Sequence, residues 1–491
     1  RPGRHPTRNP RVQGRHRGGQ VMRVVCLPLD SRPCNLLFPQ QLARWCGDVC
    51  AVPDASEMDD FTRPASFVST RAFLERKLPG ADAAVISIDR LCFGSLLASR
   101  EESVSESEAL GRLAWLAGLR RSWPRIPFYA FSVIIRASIS ALASGDLDAY
   151  HAMADYSAWS DIADETGDAE ARRRAREARE RVPAAILRKY HAVRARNHAV
   201  NRRCVELARA GVFDSLELLM EDAPPHGFHR REQRELLRLT GSDSRVSLRN
   251  GADEGGAIGV MKAALRGEPV DAEVIWLGCP EGDFIARYED RPFRENLDRA
   301  LAYAGVRATP GAKRALVVAC PPDGRQGECG ETNAPEGTPP IARAVDALIA
   351  AGKQVYLLDL LGANGGSFAL MERVAAPRLC GYSAWNTASN ALGTIVAQLV
   401  SDAKAGKANI AFRNERILDD LFYESRVRQA LNEKLRALGE DPYRLADKPN
   451  AERMLREEYA ALKHPLLDMV GPYAVSLPWS RTFEAFVETF S

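Results

Sequence analysis

The feature that most constrains the fold is a regular alternation of short apolar runs with amphipathic stretches along most of the 491 residues. The apolar runs are rich in β-branched or aromatic side chains, which is typical of strands buried in a parallel sheet. Eight runs are predicted as strands: residues 23–29, 83–88, 128–135, 216–220, 245–248, 273–277, 315–319 and 354–358. This alternation predicts an α/β protein.

Helical patterns lie between the strands, at residues 40–45, 108–121, 260–266, 293–304 and 341–351. Eight strand–helix units favour a (β/α)8-like barrel. A doubly wound parallel sheet is the alternative, because two further runs, at 48–52 and 379–384, would raise the number of strands above eight.

Three regions are expected along the chain. Residues 1–21 are predicted to be a disordered basic leader, outside the native chain if Met22 is the true start. Residues 22–400 are predicted to form the α/β catalytic domain, with a helical insertion at about 139–212 in which opposite charges recur three and four residues apart. Residues 401–491 read as a helical C-terminal extension.

The formal net charge of +3 does not indicate a nucleic-acid-binding protein. Six arginines lie in residues 1–21 without any acid, and the rest of the chain has 61 basic residues against 64 acidic ones. No apolar run is long enough to span a membrane, and no secretory signal is visible. Ten scattered cysteines are expected to be reduced thiols. We therefore expect a cytoplasmic protein that binds neither nucleic acid nor membrane, and the sequence carries no indication of its oligomeric state.

Charged and amide side chains follow six of the predicted strands at the point where the strand ends. They are Asp30 and Arg32, Asp89, Arg136, Glu221 and Asp222, Asp253 and Glu254, and Asn364. Parallel α/β folds build their active sites at this edge of the sheet, so we expect these side chains to converge. Local ion pairs, helix caps and glycine-rich turns are the alternative explanations.

Two pairs of adjacent acids suit acid–base chemistry. One carboxyl of such a pair can lie in a drier place with a raised pKa while its neighbour stays ionised. Glu221-Asp222 is the first choice, and Asp253-Glu254, in a glycine-rich loop, is the second. Trp385 and Asn386 could form a platform for a sugar, with the indole as a core side chain being the alternative.

Several motifs of the chain resemble the bacterial domain-of-unknown-function family 4127, over nearly all of the chain from Met22. They are residues 28–35 (PLDSRPCN), 87–89 with Gly94 and Ser99-Arg100, 194–201 (RARNHAVN), 251–254 (GADE), 288–292 (YEDRP) and 381–393 (GYSAWNTASNALG). Glu221-Asp222 departs from the family pattern, which has two aspartates, and residues 91–95 are less glycine-rich. The family name implies no activity.

The paired acids also look like those of barrel hexosaminidases. In those enzymes one acid protonates the leaving oxygen and its neighbour steadies the ring formed by the acetamido group, while an arginine placed like Arg32 binds hydroxyls. This similarity implies only a site layout.

Three functional hypotheses follow. The first is a glycoside hydrolase that needs no metal or cofactor. Its substrate would be a small sugar, which could carry an N-acetyl group. Its catalytic candidates are Glu221, Asp222, Asp253 and Glu254, and its sugar-binding candidates are Asp30, Arg32, Asp89, Arg136, Asn364, Trp385 and Asn386. The second is a metal-dependent hydrolase or isomerase that uses His226, Glu221 and Asp222 or Asp253. The third is a non-catalytic ligand-binding protein.

Overall fold

The computed structural model describes residues 21–136, 147–280, 284–329 and 337–490. The predicted leader lies outside these residues except for Val21, as do the first residues of the predicted helical insertion. The ten cysteines, all of which lie within these residues, form no disulfide. Within the described ranges, no helix combines the length and the apolar character needed to cross a membrane.

Fifteen strands are present in the described residues. They are β1 (Arg23–Leu27), β2 (Val49–Ala51), β3 (Ala83–Ser87), β4 (Phe128–Ile134), β5 (Ser215–Met220), β6 (Val246–Asn250), β7 (Val270–Leu277), β8 (Val306–Ala308), β9 (Arg314–Ala319), β10 (Gly327–Glu328), β11 (Gln354–Asp359), β12 (Gly362–Ala363), β13 (Gly381–Ser383), β14 (Tyr473–Ser476) and β15 (Phe486–Thr489). All eight predicted strands are among them.

The main strands form two open parallel sheets, which confirms the α/β class. The first sheet has the order β2-β1-β3-β4-β5-β6, and the second has the order β13-β11-β9-β7-β8. In each sheet, the strand that comes first in the chain pairs on one side with the second strand. The later strands then add one after another on its other side. This is the 2-1-3-4-5 order of doubly wound sheets. The described strands do not close into the expected (β/α)8-like barrel, whereas the doubly wound alternative fits them.

One helix explains why the chain forms two sheets. Gly255–Leu265 connects β6 to β7, and every residue of it except Lys262 is buried. A helix on the outside of a barrel keeps one face in water, but a helix that is apolar all round must be covered on every side. It therefore lies between the sheets and contacts Ala388–Ala405, another buried helix.

The other α-helices fall into three groups. Those of the first half are Pro33–Leu36, Phe38–Trp45, Phe67–Lys77, Ile88–Phe93, Glu106–Ser122 and Phe228–Thr240. The helical insertion contains Leu147–Thr166, Ala169–Arg181 and Ala184–Arg209. The second half contains Phe293–Ala304, Thr338–Ala350, Phe368–Met371, Ile410–Arg416, Arg428–Ala437, Lys448–Ala461 and Pro465–Val470, with a π-helix at Ile417–Val427. The chain then departs from the helical pattern, because β14 and β15 pair as an antiparallel hairpin.

Three apolar clusters hold these layers together. The largest lies between the sheets and joins side chains such as Val24 and Phe131 of the first sheet to Leu316 and Leu358 of the second. The second cluster covers the outer face of the first sheet. The third packs the C-terminal helices and hairpin onto the outer face of the second sheet, which brings the last part of the chain beside the carboxyl ends of the strands.

Candidate active site

A polar cavity of about 670 Å³ lies where the strands of the first sheet end. Loops of the second sheet and the C-terminal segment complete its wall. Seven of the eleven predicted site residues line it: Arg32, Arg136, Glu221, Asp222, Asp253, Asn364 and Asn386. Side chains hundreds of residues apart in the sequence thus meet in one place.

The strand register explains this convergence. Ile134 of β4 lies level with Met220 of β5, and Met220 lies level with Asn250 of β6. The residues that follow each strand therefore leave the sheet at the same height. Arg136 and Glu221 reach the cavity in this way, beside Asn250 itself.

Arg32 is held by three carboxylates. Its Nε atom donates to Asp30 Oδ1 at 3.0 Å, and its Nη1 atom donates to Asp253 Oδ2 at 3.2 Å and Glu484 Oε1 at 3.1 Å. Burial raises the pKa of Glu484 to about 7, so this carboxyl takes up a proton near neutral pH. Asp30 is fully buried and does not line the cavity, but its hydrogen bonds orient the Arg32 side chain.

The adjacent acids Glu221 and Asp222 have different surroundings. Arg136 donates from Nε to Glu221 Oε1 at 3.1 Å and from Nη2 to Asp222 Oδ2 at 2.5 Å, and Arg100 also donates to Glu221. Burial and the nearby charge of Arg136 hold the pKa of Arg100 well below its usual range. Glu221 is buried between these two cations, whereas the Asp222 side chain is 34% exposed. Asp222 is therefore the more accessible acid of this pair.

Glu289 is a buried carboxyl that also lines the cavity, although it is only 2% exposed. It accepts hydrogen bonds from the Ser389 backbone N–H at 2.6 Å and from Asn296 Nδ2 at 2.8 Å. Burial outweighs these bonds and raises the pKa of Glu289 to about 7. The strand-end pattern missed this residue because it lies in a loop well beyond β7. Its only sequence signal is the 288–292 motif.

Two asparagines on the cavity wall have left-handed backbone conformations. The φ angles are 60° at Asn364 and 55° at Asn386, in a region that asparagine tolerates better than most residues. Asn386 Nδ2 donates to Asp253 Oδ2 at 3.1 Å, and the Asn364 N–H donates to the Asn386 carbonyl at 2.9 Å. These bonds join the loops of the second sheet to the site.

Glu254 lies in the core and not on the cavity wall. Arg249 binds it and also donates to Glu217 Oε2 at 2.7 Å, so two acids share one fully buried guanidinium. Burial raises the pKa of Glu254. This ion triad lies beside the helix Gly255–Leu265 and stabilises the core. Glu254 was expected to be a catalytic candidate, but it does not line the cavity.

Trp385 and Asp89 were expected to bind sugar, but neither lines the cavity. Trp385 is 3% exposed, packs in the cluster between the sheets, and donates from Nε1 to Thr394 Oγ1 at 3.1 Å. Asp89 accepts from the Val133 N–H at 2.8 Å, and burial raises its pKa to about 7. Asp89 lies in the first turn of the helix Ile88–Phe93, and Trp385 just precedes the helix Ala388–Ala405. Both helices pack against strands of the sheets, which encloses the two side chains.

The metal ligands expected in the second hypothesis do not come together. Instead, His226 Nδ1 lies 3.4 Å from Asp161 and 3.8 Å from Glu165, which are two acids of the helical insertion. These three are the residues within the described ranges that could share an ion. Arg234 already contacts both acids, at 2.7 Å for Asp161, and neutralises part of their charge. His226 does not line the cavity that holds Glu221 and Asp222.

The loop between β14 and β15 adds three wall residues that the sequence did not single out, Trp479, Arg481 and Phe483. The hairpin brings them over the carboxyl ends of the strands. Arg32 lies 5.4 Å from the centroid of the Trp479 ring, so the segment also packs against the carboxylate cluster. None of the three directly follows a predicted strand, so the strand-end pattern did not indicate them.

The model of one protein family, described as a protein of unknown function (DUF4127), matches residues 24–488. No curated protein and no solved structure matches the chain.

Proposed function

The chain belongs to the DUF4127 family, whose description names no activity, and we propose from the chemistry of its cavity that it is a glycoside hydrolase for a small sugar. The observation that carries this proposal is the presence, in one cavity, of a buried carboxyl with a raised pKa and an accessible carboxylate. These are Glu289 and Asp222. Glycosidases need one acid that is protonated at the working pH and a second that is charged.

Glu289 would be the general acid. With a pKa of about 7 it holds a proton through much of the neutral range, and it can donate that proton to the glycosidic oxygen as the bond to the anomeric carbon breaks. The hydrogen bonds from Ser389 and Asn296 hold the carboxyl in one orientation. They also stabilise the carboxylate that remains after the transfer.

Asp222 would be the charged partner. One of its oxygens pairs with Arg136, and the other has no hydrogen-bond donor within the described residues. That oxygen can take a proton from the attacking water or attack the anomeric carbon itself. On an N-acetylated sugar, it would instead steady the positive ring formed by the acetamido group.

Glu221 takes a positioning role in this assignment. Two guanidinium groups contact it, which suits an ionised anchor for Arg100 and Arg136 better than a proton donor. The amides of Asn250, Asn364 and Asn386 supply the donors and acceptors that sugar hydroxyls require.

The test uses a pool of aryl glycosides of differing sugar and anomer. We expect the wild type to hydrolyse at least one of them, and Glu289→Gln and Asp222→Asn each to lower kcat by about 10²- to 10⁴-fold. Glu457→Gln is the matched control, because Glu457 is 60% exposed in a surface ion pair with Arg453.

Three outcomes would contradict the proposal. Turnover that survives both substitutions would remove the two acids from the chemistry. Sugar binding without turnover of any glycoside would favour a non-catalytic binding protein. Activity that is abolished by a chelator and restored by one metal would favour the metal-dependent alternative.

A further inference from the structure

Arg481 is a buried cation on the cavity wall, and its surroundings are aromatic. Its guanidinium carbon lies 4.7 Å from the ring centroid of Trp479, 5.4 Å from that of Phe61 and 5.5 Å from that of Phe483. The residue is 7% exposed. Across the described ranges, its side chain has neither a carboxylate within ion-pair distance nor a hydrogen-bond acceptor.

Glu484, Asp30 and Asp253 attract Arg481 only from beyond ion-pair distance, and a buried cation without a direct ion pair is costly for a fold. Burial and the nearby charge of Arg32 lower the pKa of Arg481 to about 10, so the group is still charged at neutral pH. Other buried arginines are compensated. Arg249 lies between two carboxylates, and Arg413 donates to several backbone carbonyls.

The other buried cations of the cavity already have partners. Arg32 contacts three carboxylates. Arg100 and Arg136 share Glu221 and Asp222. Arg481 is therefore the buried guanidinium that remains available to a ligand.

The buried wall atoms that have no hydrogen-bond partner show the same bias toward donors. Asn250 is 1% exposed, and its Nδ2 atom has no acceptor in the described part of the chain, while its Oδ1 atom accepts from Asn296 at 3.0 Å. Among the wall residues, the buried side-chain atoms without a partner in the described ranges are Asn250 Nδ2 and the Nε atoms of Arg100 and Arg481. All three are donors, so the wall is complementary to a ligand rich in acceptors.

We propose that the ligand of this cavity carries an oxyanion, as an acidic sugar or a sugar phosphate does, and that Arg481 is its counter-ion. The inference rests on the proposed glycoside hydrolase for its sugar, and it narrows the substrate to an anionic one. The rings of Trp479 and Phe483 hold the guanidinium plane in place and exclude water, which strengthens its attraction for an anion.

The experiment measures binding by isothermal titration calorimetry with glucuronate, glucose 6-phosphate and neutral glucose. We expect the preferred anionic sugar to bind at least about tenfold more tightly than glucose, since hydrogen bonds to charged groups contribute at least that factor. The tighter of the two anions identifies the substituent as carboxylate or phosphate.

Substitutions test whether Arg481 is the counter-ion. Arg481→Gln should weaken binding of the anionic sugar by about 10- to 100-fold and leave glucose binding unchanged, while Arg481→Lys retains part of the preference. Arg436→Gln is the matched control, because Arg436 is exposed and lies outside the cavity. The melting temperature of ligand-free Arg481→Gln should equal or exceed that of the wild type, because a buried charge without a direct ion pair is removed.

Equal affinity of the wild type for anionic and neutral sugars would overturn the inference. So would an equal loss of both kinds of binding in Arg481→Gln. If that variant does not fold, the wild-type comparison and Arg481→Lys decide. Anion binding without hydrolysis would refute the proposed function alone, whereas hydrolysis of neutral glycosides without anion preference would refute this inference alone.

Discussion

Three carboxyl groups that line the cavity differ in their surroundings, which is why the proposed mechanism gives them different roles. Glu221 lies between two guanidinium groups, Asp222 has one such partner and partial access to solvent, and Glu289 is enclosed among uncharged donors. A nearby cation favours the charged form of an acid, and burial favours the neutral form. The same type of group can therefore act as an anchor, a base or an acid within one site.

The proposed role of Glu289 as the general acid predicts how activity should depend on pH. A general acid must be protonated, so activity should fall as the pH rises through about 7, the value to which burial raises the pKa of Glu289. In Glu289→Gln, the residual activity on aryl glycosides with good leaving groups should lack this alkaline limb. Rates of the two proteins measured from about pH 5 to about pH 9 test this expectation. An alkaline limb that persists in Glu289→Gln would assign the proton to another group.

At the scale of elements, close packing of two buried helices supports the site from behind. The helix Ala388–Ala405 approaches the start of Gly255–Leu265 so closely that a Cβ atom at Gly393 would overlap the side chain of Glu254. A glycine inside a helix normally weakens it. Here it allows the contact that joins the two halves of the molecule, as well as the ion triad of Glu254.

Two glycine-to-alanine substitutions separate packing from helix propensity. Gly393→Ala should destabilise the protein by about 1–3 kcal/mol, because the side chain of Glu254 must move. Gly111→Ala should stabilise it by about 0.5–1 kcal/mol, because Gly111 lies in the helix Glu106–Ser122 and its Cβ position faces open space. Urea denaturation measures both, and a stabilising Gly393→Ala would contradict the close contact.

At the scale of the whole molecule, a sizeable group of acidic side chains is buried in the interior. Burial is the largest cause that raises the pKa of eight carboxyls to between about 6 and about 8: Asp59, Asp89, Glu289, Asp402, Asp419, Asp420, Glu424 and Glu484. In the range between the unfolded and folded pKa values, the folded protein holds more protons than the unfolded chain. Stability therefore falls as the pH rises through this range.

The melting temperature should consequently decrease by several degrees between about pH 6 and about pH 8.5. His229 opposes this trend, because burial lowers its pKa to about 3 and the unfolded chain then binds an extra proton, but one imidazole does not outweigh eight carboxyls. Calorimetry across this range measures the decrease. Glu289→Gln provides the comparison, with a shallower alkaline decrease, since it lacks one of the titrating carboxyls. A melting temperature that rises toward alkaline pH would contradict the expectation.

Local patterns in the sequence determined the main strands and part of the cavity wall. The helix at Phe293–Ala304 has its predicted bounds, the eight predicted strands are present, and seven of eleven site candidates line one cavity. Hydrophobic periodicity and polar strand ends are properties of neighbouring residues, so they can be read from the chain directly. The division into two sheets, the enclosure of Trp385, and the arrival of Glu289 and Arg481 at the cavity depend on contacts between distant segments. Only the tertiary structure decided these, because strand pairing and burial are properties of the packed molecule and not of any short stretch of the chain.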